Sequence, residues 1–199
     1  MENTPLNILN YKISELNKLK PKKGRVLLAE PLMQDPFFKR SVVLLTEYEE
    51  NGAFGFILNK PTDIRLDEVL PDFPEFDTTV YLGGPVENDK LFYIHNQGEY
   101  IDGSVKIKNN LYWAGNFDQL KEMIENQQIF PNEIKFFLGY SGWGKKQLDM
   151  ELKRESWLVD DISEEDIIRS DKDLWYKVLQ KKGGKYKMLA NFPENPSWN

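Results

Sequence analysis

The chain of 199 residues contains no cysteine and a single histidine, His95. The first absence excludes disulfides, thiolate catalysis, iron–sulfur clusters and cysteine-ligated zinc. The second excludes a His-rich metal site and forces any histidine-dependent mechanism onto His95. No apolar run approaches the ~20 residues of a membrane span, and the N-terminus lacks a signal-peptide core. These absences predict a cytoplasmic protein without membrane association. A positive balance is lacking too: 26 basic against 32 acidic residues give a net charge of −6. That argues against broad electrostatic binding of nucleic acid, which needs a basic face, although a local basic patch stays open. No repeat and no low-complexity linker occurs.

At ~100–200 residues per domain the length predicts one domain with tails. A chain this long buries roughly 70% of its unfolded surface and needs no staples. Residues 1–21 read as an N-terminal helical arm, with Leu6, Leu9, Ile13 and Leu16 at helical spacing and Pro21 at its end. Its apolar stripe is expected to dock on the domain, and a homodimer through the arm is left open. Residues 22–185 read as the domain and residues 186–199 as a loosely held tail.

Within the domain, Val26–Glu30 and Ser41–Tyr48 are predicted strands. Asn51-Gly52 is the strongest hairpin signal, with Ala53–Asn59 as the return strand. Ile64–Leu70 is expected to be a short helix. Thr78–Leu82, Lys90–His95 and the pair Ser104–Lys108/Leu111–Ala114 read as strands. Asn116 or Asp118 is suited to cap a helix carrying Leu120, Met123 and Ile124. Ile134–Tyr140 reads as the last long strand, and Trp157–Asp160 as a short extended piece. Ser163 is suited to cap a short helix, and Asp171–Lys182 is amphipathic, ending at Gly183-Gly184. Tight hairpins mixed with helices predict an α+β fold, with a mixed, mainly antiparallel sheet.

The densest glycine cluster, Gly139, Gly142 and Gly144, follows an apolar run and precedes Leu148 and Leu152. This reads as strand, tight turn, helix. Unpaired N–H groups at such a helix start favour an anion, and Lys145 and Lys146 stand beside it. The plainer reading, glycines that let Trp143 pack, carries slightly more weight. The P-loop spacing is absent. Ser141 fails as a nucleophile elbow because Trp143 occupies the position that needs glycine. Asp35, Arg40 and Asn59 form a second candidate group, against the plainer reading of an internal salt bridge that fixes a loop.

Four segments in register, 33–42 (MQDPFFKRSV), 52–61 (GAFGFILNKP), 82–86 (LGGPV) and 138–148 (LGYSGWGKKQL), resemble the AlgH/YqgE family of bacterial proteins. The resemblance runs from about Gly24 to about Gly183. It implies a small cytosolic protein with a mixed α+β fold. The family name carries a proposed role in transcriptional regulation, but no recognised DNA-binding motif and no agreed catalytic residues. The matching positions include Gln34, Asp35, Pro36, Arg40, Asn59, Pro61, Gly83, Gly84, Pro85, Gly139, Gly142, Trp143, Gly144, Gln147 and Leu148. Lys60 replaces the usual arginine and Ser141 a common alanine.

The expected ligand site therefore comprises Asp35, Arg40, Asn59, Gly83, Gly84, Gly142, Trp143, Gly144 and Gln147. It would take a small anionic ligand or a protein partner in a regulatory role, without metal or cofactor. Two alternatives stand beside this reading. One is a metal-independent enzyme at the same pocket, which requires Asp35, Arg40 and Asn59 to converge. The other is a DNA-binding regulator, which the acidic charge disfavours.

Overall fold

Strand β1 (Val26–Ala29) and the first half of β2 (Val42–Glu49), Val42 to Leu45, are apolar at every position, as strands covered on both faces must be. In the computed structural model, which describes residues 12–192, they lie inside a large mixed sheet. The other strands are β3 (Gly52–Ile57), β4 (Pro61–Arg65), β5 (Thr79–Leu82), β6 (Val86–His95), β7 (Val105–Lys108), β8 (Leu111–Trp113), β9 (Ile134–Gly144) and β10 (Trp157–Asp160). The helices are α1 (Ile13–Leu16), α2 (Leu66–Val69), α3 (Phe117–Glu125), α4 (Gln147–Lys153), α5 (Glu164–Ile168), α6 (Leu174–Lys182) and α7 (Gly184–Ala190). The architecture is α+β, as expected.

The strand order is β10-β1-β2-β3-β9-β6-β8-β7, with β5 beside β9 and β4 beside β5. Of these pairings only β5 with β9 is parallel. β9 joins the two halves. Its first half pairs with β5 and β6, and its second half with β3, where Gly52 faces Gly144. The first strand closes on the last, Val26 opposite Asp160.

Period-two alternation splits the core. Val26, Leu28, Val42 and Leu44 face α5 and α6, together with Phe56, Trp175 and Val178. Leu27, Ala29, Val43 and Leu45 face the opposite way, against Trp143, Leu148 and Trp157. A third cluster seats Leu120 and Ile124 of α3 on Phe136 and Leu138. Asn116 caps α3 by accepting from the Asp118 and Gln119 amides.

Several expectations need correction. β9 does not stop at Tyr140 but runs to Gly144, so the glycine cluster lies within a strand and α4 begins only at Gln147. Residues 61–65 are strand, and the helix expected from Ile64 starts at Leu66. In the N-terminal arm only Ile13–Leu16 is helical among the described residues, so the helix does not reach Pro21. Ile13 and Leu16 are buried in the domain's own core, and the Asn17 side chain bridges the Trp157 carbonyl and the Val159 amide. Leu6 and Leu9 lie outside the described residues. At the other end, residues 184–190 form a helix with Leu189 and Ala190 buried, so the loosely held tail does not begin at 186. Residues 193–199 of that tail lie outside the described residues. Among the described residues no helix is long and apolar enough to cross a membrane.

Candidate functional site

The glycines of the motif act mainly on the backbone. Gly139 takes a left-handed φ of +68° inside β9. A Cβ on Gly83 would sit 2.2 Å from the Gly139 carbonyl oxygen, and one on Gly84 would be 2.2 Å from the Tyr140 backbone. At this crossing β5 hands its place beside β9 to β3, and the Ile57 amide donates to the Gly83 carbonyl at 2.8 Å. The two chains come closer than any side chain allows. Ser141 is fully buried and its Oγ donates to the same carbonyl at 3.0 Å, so it is a structural hydroxyl.

Trp143, Gly144 and Gln147 belong to the other face. The Gln147 Oε1 accepts from the Gly144 amide, and its Nε2 donates to Glu151 Oε1. Glu151 Oε2 accepts from both the Trp143 and Trp157 indoles, at 2.9 and 2.7 Å. α4 has seven residues and opens on Lys146 in the left-handed region, so the helix-start anion site expected here does not form. Gly144 instead lines an open cleft of about 430 Å³ with Tyr48, Glu49, Glu50 and Lys146.

Asp35, Arg40 and Asn59 part in the same way. The Asp35 carboxylate turns back on its own loop and accepts from the Phe37 and Phe38 amides, at 2.9 and 3.1 Å. Neither it nor Gly83, Gly84, Gly142 or Trp143 lines the cleft that Arg40 and Asn59 share. Asn59 is buried. Its Oδ1 accepts from the Val42 amide at 2.8 Å and its Nδ2 donates to the Arg40 carbonyl at 2.9 Å. That bond holds Arg40 at φ +52°, a conformation uncommon outside glycine and asparagine. The Arg40 guanidinium lies over the Trp175 ring, 5.1 Å from its centroid, and donates to the Phe192 carbonyl.

This cleft holds about 340 Å³ and is lined by Lys39, Arg40, Asn59, Lys60, Pro61, Lys172, Asp173, Trp175 and Tyr176. Among the described residues this lining brings four cationic residues together with one carboxylate, and Lys39, Arg40 and Lys60 also hold further contacts. Lys60 Nζ donates to the Lys39 carbonyl at 2.8 Å, which folds the 39–40 corner onto the 59–61 segment. The arrangement suits a small anion backed by an aromatic wall. Lys172, Trp175 and Tyr176 were not anticipated as site residues. They join through tertiary contact between the α5–α6 linker and the loop before β2, for which no local sequence signal exists.

His95 is fully buried. Its Nδ1 accepts from the Gln97 amide, which places the proton on Nε2, facing the Ala114 carbonyl at 3.0 Å. Burial lowers its pKa. It is a structural, neutral histidine.

Comparison with known proteins agrees with this architecture. Residues 26–187 match the family model described as AlgH-like. A UPF0301 protein of Cytophaga hutchinsonii is 44% identical over 179 residues, covering 89% of this chain and 98% of the relative. One from Chlorobium limicola is 40% identical, covering 94% and 100%. Among solved structures, the AlgH protein of Pseudomonas aeruginosa superposes with a TM-score of 0.69 at 27% identity, covering 89% of this chain and all of that one. A Corynebacterium diphtheriae protein shares the fold, with a TM-score of 0.73 at 23% identity, covering 87% and 94%. This chain belongs to the AlgH-like family.

Proposed function

We propose that this protein is a cytoplasmic, non-catalytic regulatory protein that binds a small phosphate-bearing or polycarboxylate ligand in the Arg40–Asn59 cleft. The observation that supports it is the lining among the described residues, which gathers Lys39, Arg40, Lys60 and Lys172 around Asp173 beside Trp175 and Tyr176. Lysine supplies compact point charges for an anion, and the Arg40 guanidinium, held over the Trp175 ring, adds a fixed positive charge. The left-handed backbone of Arg40 adds weight, because such conformations cluster at ligand clamps. A net charge of −6 makes the cleft a local exception on an acidic protein, so any part in transcription would run through a ligand or a protein partner rather than through DNA.

The test is a thermal-shift and titration series with inorganic phosphate, glycerol phosphate and citrate at matched ionic strength. A probe at ~100 times its dissociation constant adds ~2.7 kcal/mol, or about 5–10 °C for a chain of this size. The double variant Lys60→Ala/Lys172→Ala should abolish the shift while the unliganded protein melts near the parent. A shift that survives in this variant, or none with any probe, would remove the proposal.

A further inference from the structure

A third cleft, of about 500 Å³, is lined in part by the α5–α6 linker and contains a feature the anion site does not use. It is lined by Asp77, Thr78, Thr79, Tyr81, Asn132, Lys135, Arg169 and Asp171, among others. Lys135 lies on β9 opposite Ile94 and is only 3% exposed. It sits in the apolar sequence Ile134-Lys135-Phe136-Phe137, where a leucine or valine would be ordinary.

The amine is held from two sides. Nζ donates to the Ser170 carbonyl at 2.7 Å and lies 3.2 Å from the centroid of the Tyr81 ring. Tyr81 Oη donates to the same carbonyl at 3.1 Å. A neutral amine has two N–H bonds and one lone pair. The carbonyl and the ring face engage the N–H bonds, and the lone pair remains for an electrophile. The charged groups around it are Asp171 and Arg169 from the linker and Asp77 from the segment before β5, with Tyr81 as the titratable group on β5. Desolvation brings the Lys135 pKa down to about 7, partly opposed by the Asp171 carboxylate. About half of the amine is then neutral at pH 7, a state exposed lysines reach only near pH 10.

We infer that Lys135 is a reactive amine that forms a Schiff base with small hydroxylated carbonyl compounds admitted to this cleft. The hydroxyls of Thr78 and Thr79, the Asn132 amide and the Asp77 and Asp171 carboxylates offer donors and acceptors for the hydroxyl groups of such a compound. The Nζ lone pair attacks the carbonyl carbon and the C=O π pair moves to oxygen. One proton passes from nitrogen to that oxygen, giving a carbinolamine. Its hydroxyl leaves with the second N–H proton as water, and the C=N bond forms. Nothing is oxidised or reduced. This site is independent of the anion cleft.

The experiment uses the full chain with glycolaldehyde and cyanoborohydride at pH 7, read by peptide mapping. Lys135 should be alkylated at least ~10-fold faster than exposed Lys145 and Lys177, following its larger neutral fraction. In urea that preference should vanish. Acetaldehyde serves as the hydroxyl-free control: relative to Lys145, Lys135 should favour glycolaldehyde, and Asn132→Leu should weaken that preference. Labelling of Lys135 no faster than of Lys145 in the folded protein would overturn the reactive amine. Equal relative rates with the two aldehydes would overturn the hydroxylated substrate class.

Discussion

Replacing Lys135 by methionine separates the effect of its burial from everything else in the sheet. Methionine keeps the length and the apolar stem and removes only the titrating head. In the folded protein burial lowers the amine from its ordinary 10.5 to about 7. At 1.36 kcal/mol per pH unit the full span corresponds to roughly 4–5 kcal/mol of ionisation free energy that opposes folding at neutral pH. The sign follows from proton counting. Between pH 7 and 10 the unfolded chain holds a proton on this amine that the folded chain has released, so parental stability rises with pH across that window. Below pH 7 both states are protonated and the slope disappears. Lys135→Met also loses the bond to the Ser170 carbonyl, worth about 1 kcal/mol, but Tyr81 Oη still donates there. The variant should therefore be the more stable protein at pH 7, by about 2–4 kcal/mol. Its advantage should shrink by about 2–3 kcal/mol between pH 7 and 9. Urea denaturation of both proteins at each pH, with the slopes on denaturant held equal, measures the difference directly. Parallel stability–pH curves for the two proteins would refute the reasoning.

Four other outcomes follow from the backbone and side-chain geometry. Gly139→Ala forces a left-handed alanine whose Cβ meets two carbonyl oxygens at 2.7 Å, so it should cost about 3 kcal/mol or more in urea denaturation. Gly183→Ala, at φ +68° and ψ −166° in a region open essentially to glycine alone but with nothing within 4 Å, should cost about 1–3 kcal/mol. Glu151→Ala leaves the Trp143 and Trp157 indole N–H groups without their shared acceptor. It should cost about 2–4 kcal/mol and shift the intrinsic tryptophan emission, whereas Glu151→Gln should recover most of both. The pKa of His95 is lowered by burial, so its unfolded state gains the proton first. Stability should fall as pH drops below about 6.5 toward the lowered folded value, and His95→Gln should flatten that part of the curve.

The hairpins and the amphipathic helices were legible because their causes are local. Glu50 and Asn51 make the turn next to Gly52, and Leu174, Trp175, Val178 and Leu179 are buried as their spacing demands. The glycine cluster misled because glycine reports a demand for space or positive φ without saying what fills the space. At Gly139 another backbone fills it, whereas Gly142 meets the Tyr140 ring and Gly144 only the Gln147 side chain. Arg40 and Asn59 were grouped with Asp35, whose carboxylate turns back on its own loop instead. Their partners Lys172 and Trp175 come from the α5–α6 linker and α6, more than a hundred residues away, and no window of sequence joins them. Lys135 left a local trace, a cation in an otherwise apolar strand, which the emphasis on the glycines passed over.

The closure of β1 on β10 bears on how the chain acquires its structure as it is synthesised. Val26 finds its partner only when Asp160 has been made, and the inner edges of β3 and β5 wait for β9. A nascent chain that has reached residue 133 carries most of its strands, yet neither half-sheet has its joining strand. Such long-range pairing slows folding, and open strand edges recruit other chains. The last third of the chain is therefore the part whose arrival turns an assembly-prone intermediate into a complete sheet. Ribosomal pausing before residue 134 would do more harm than pausing after 160.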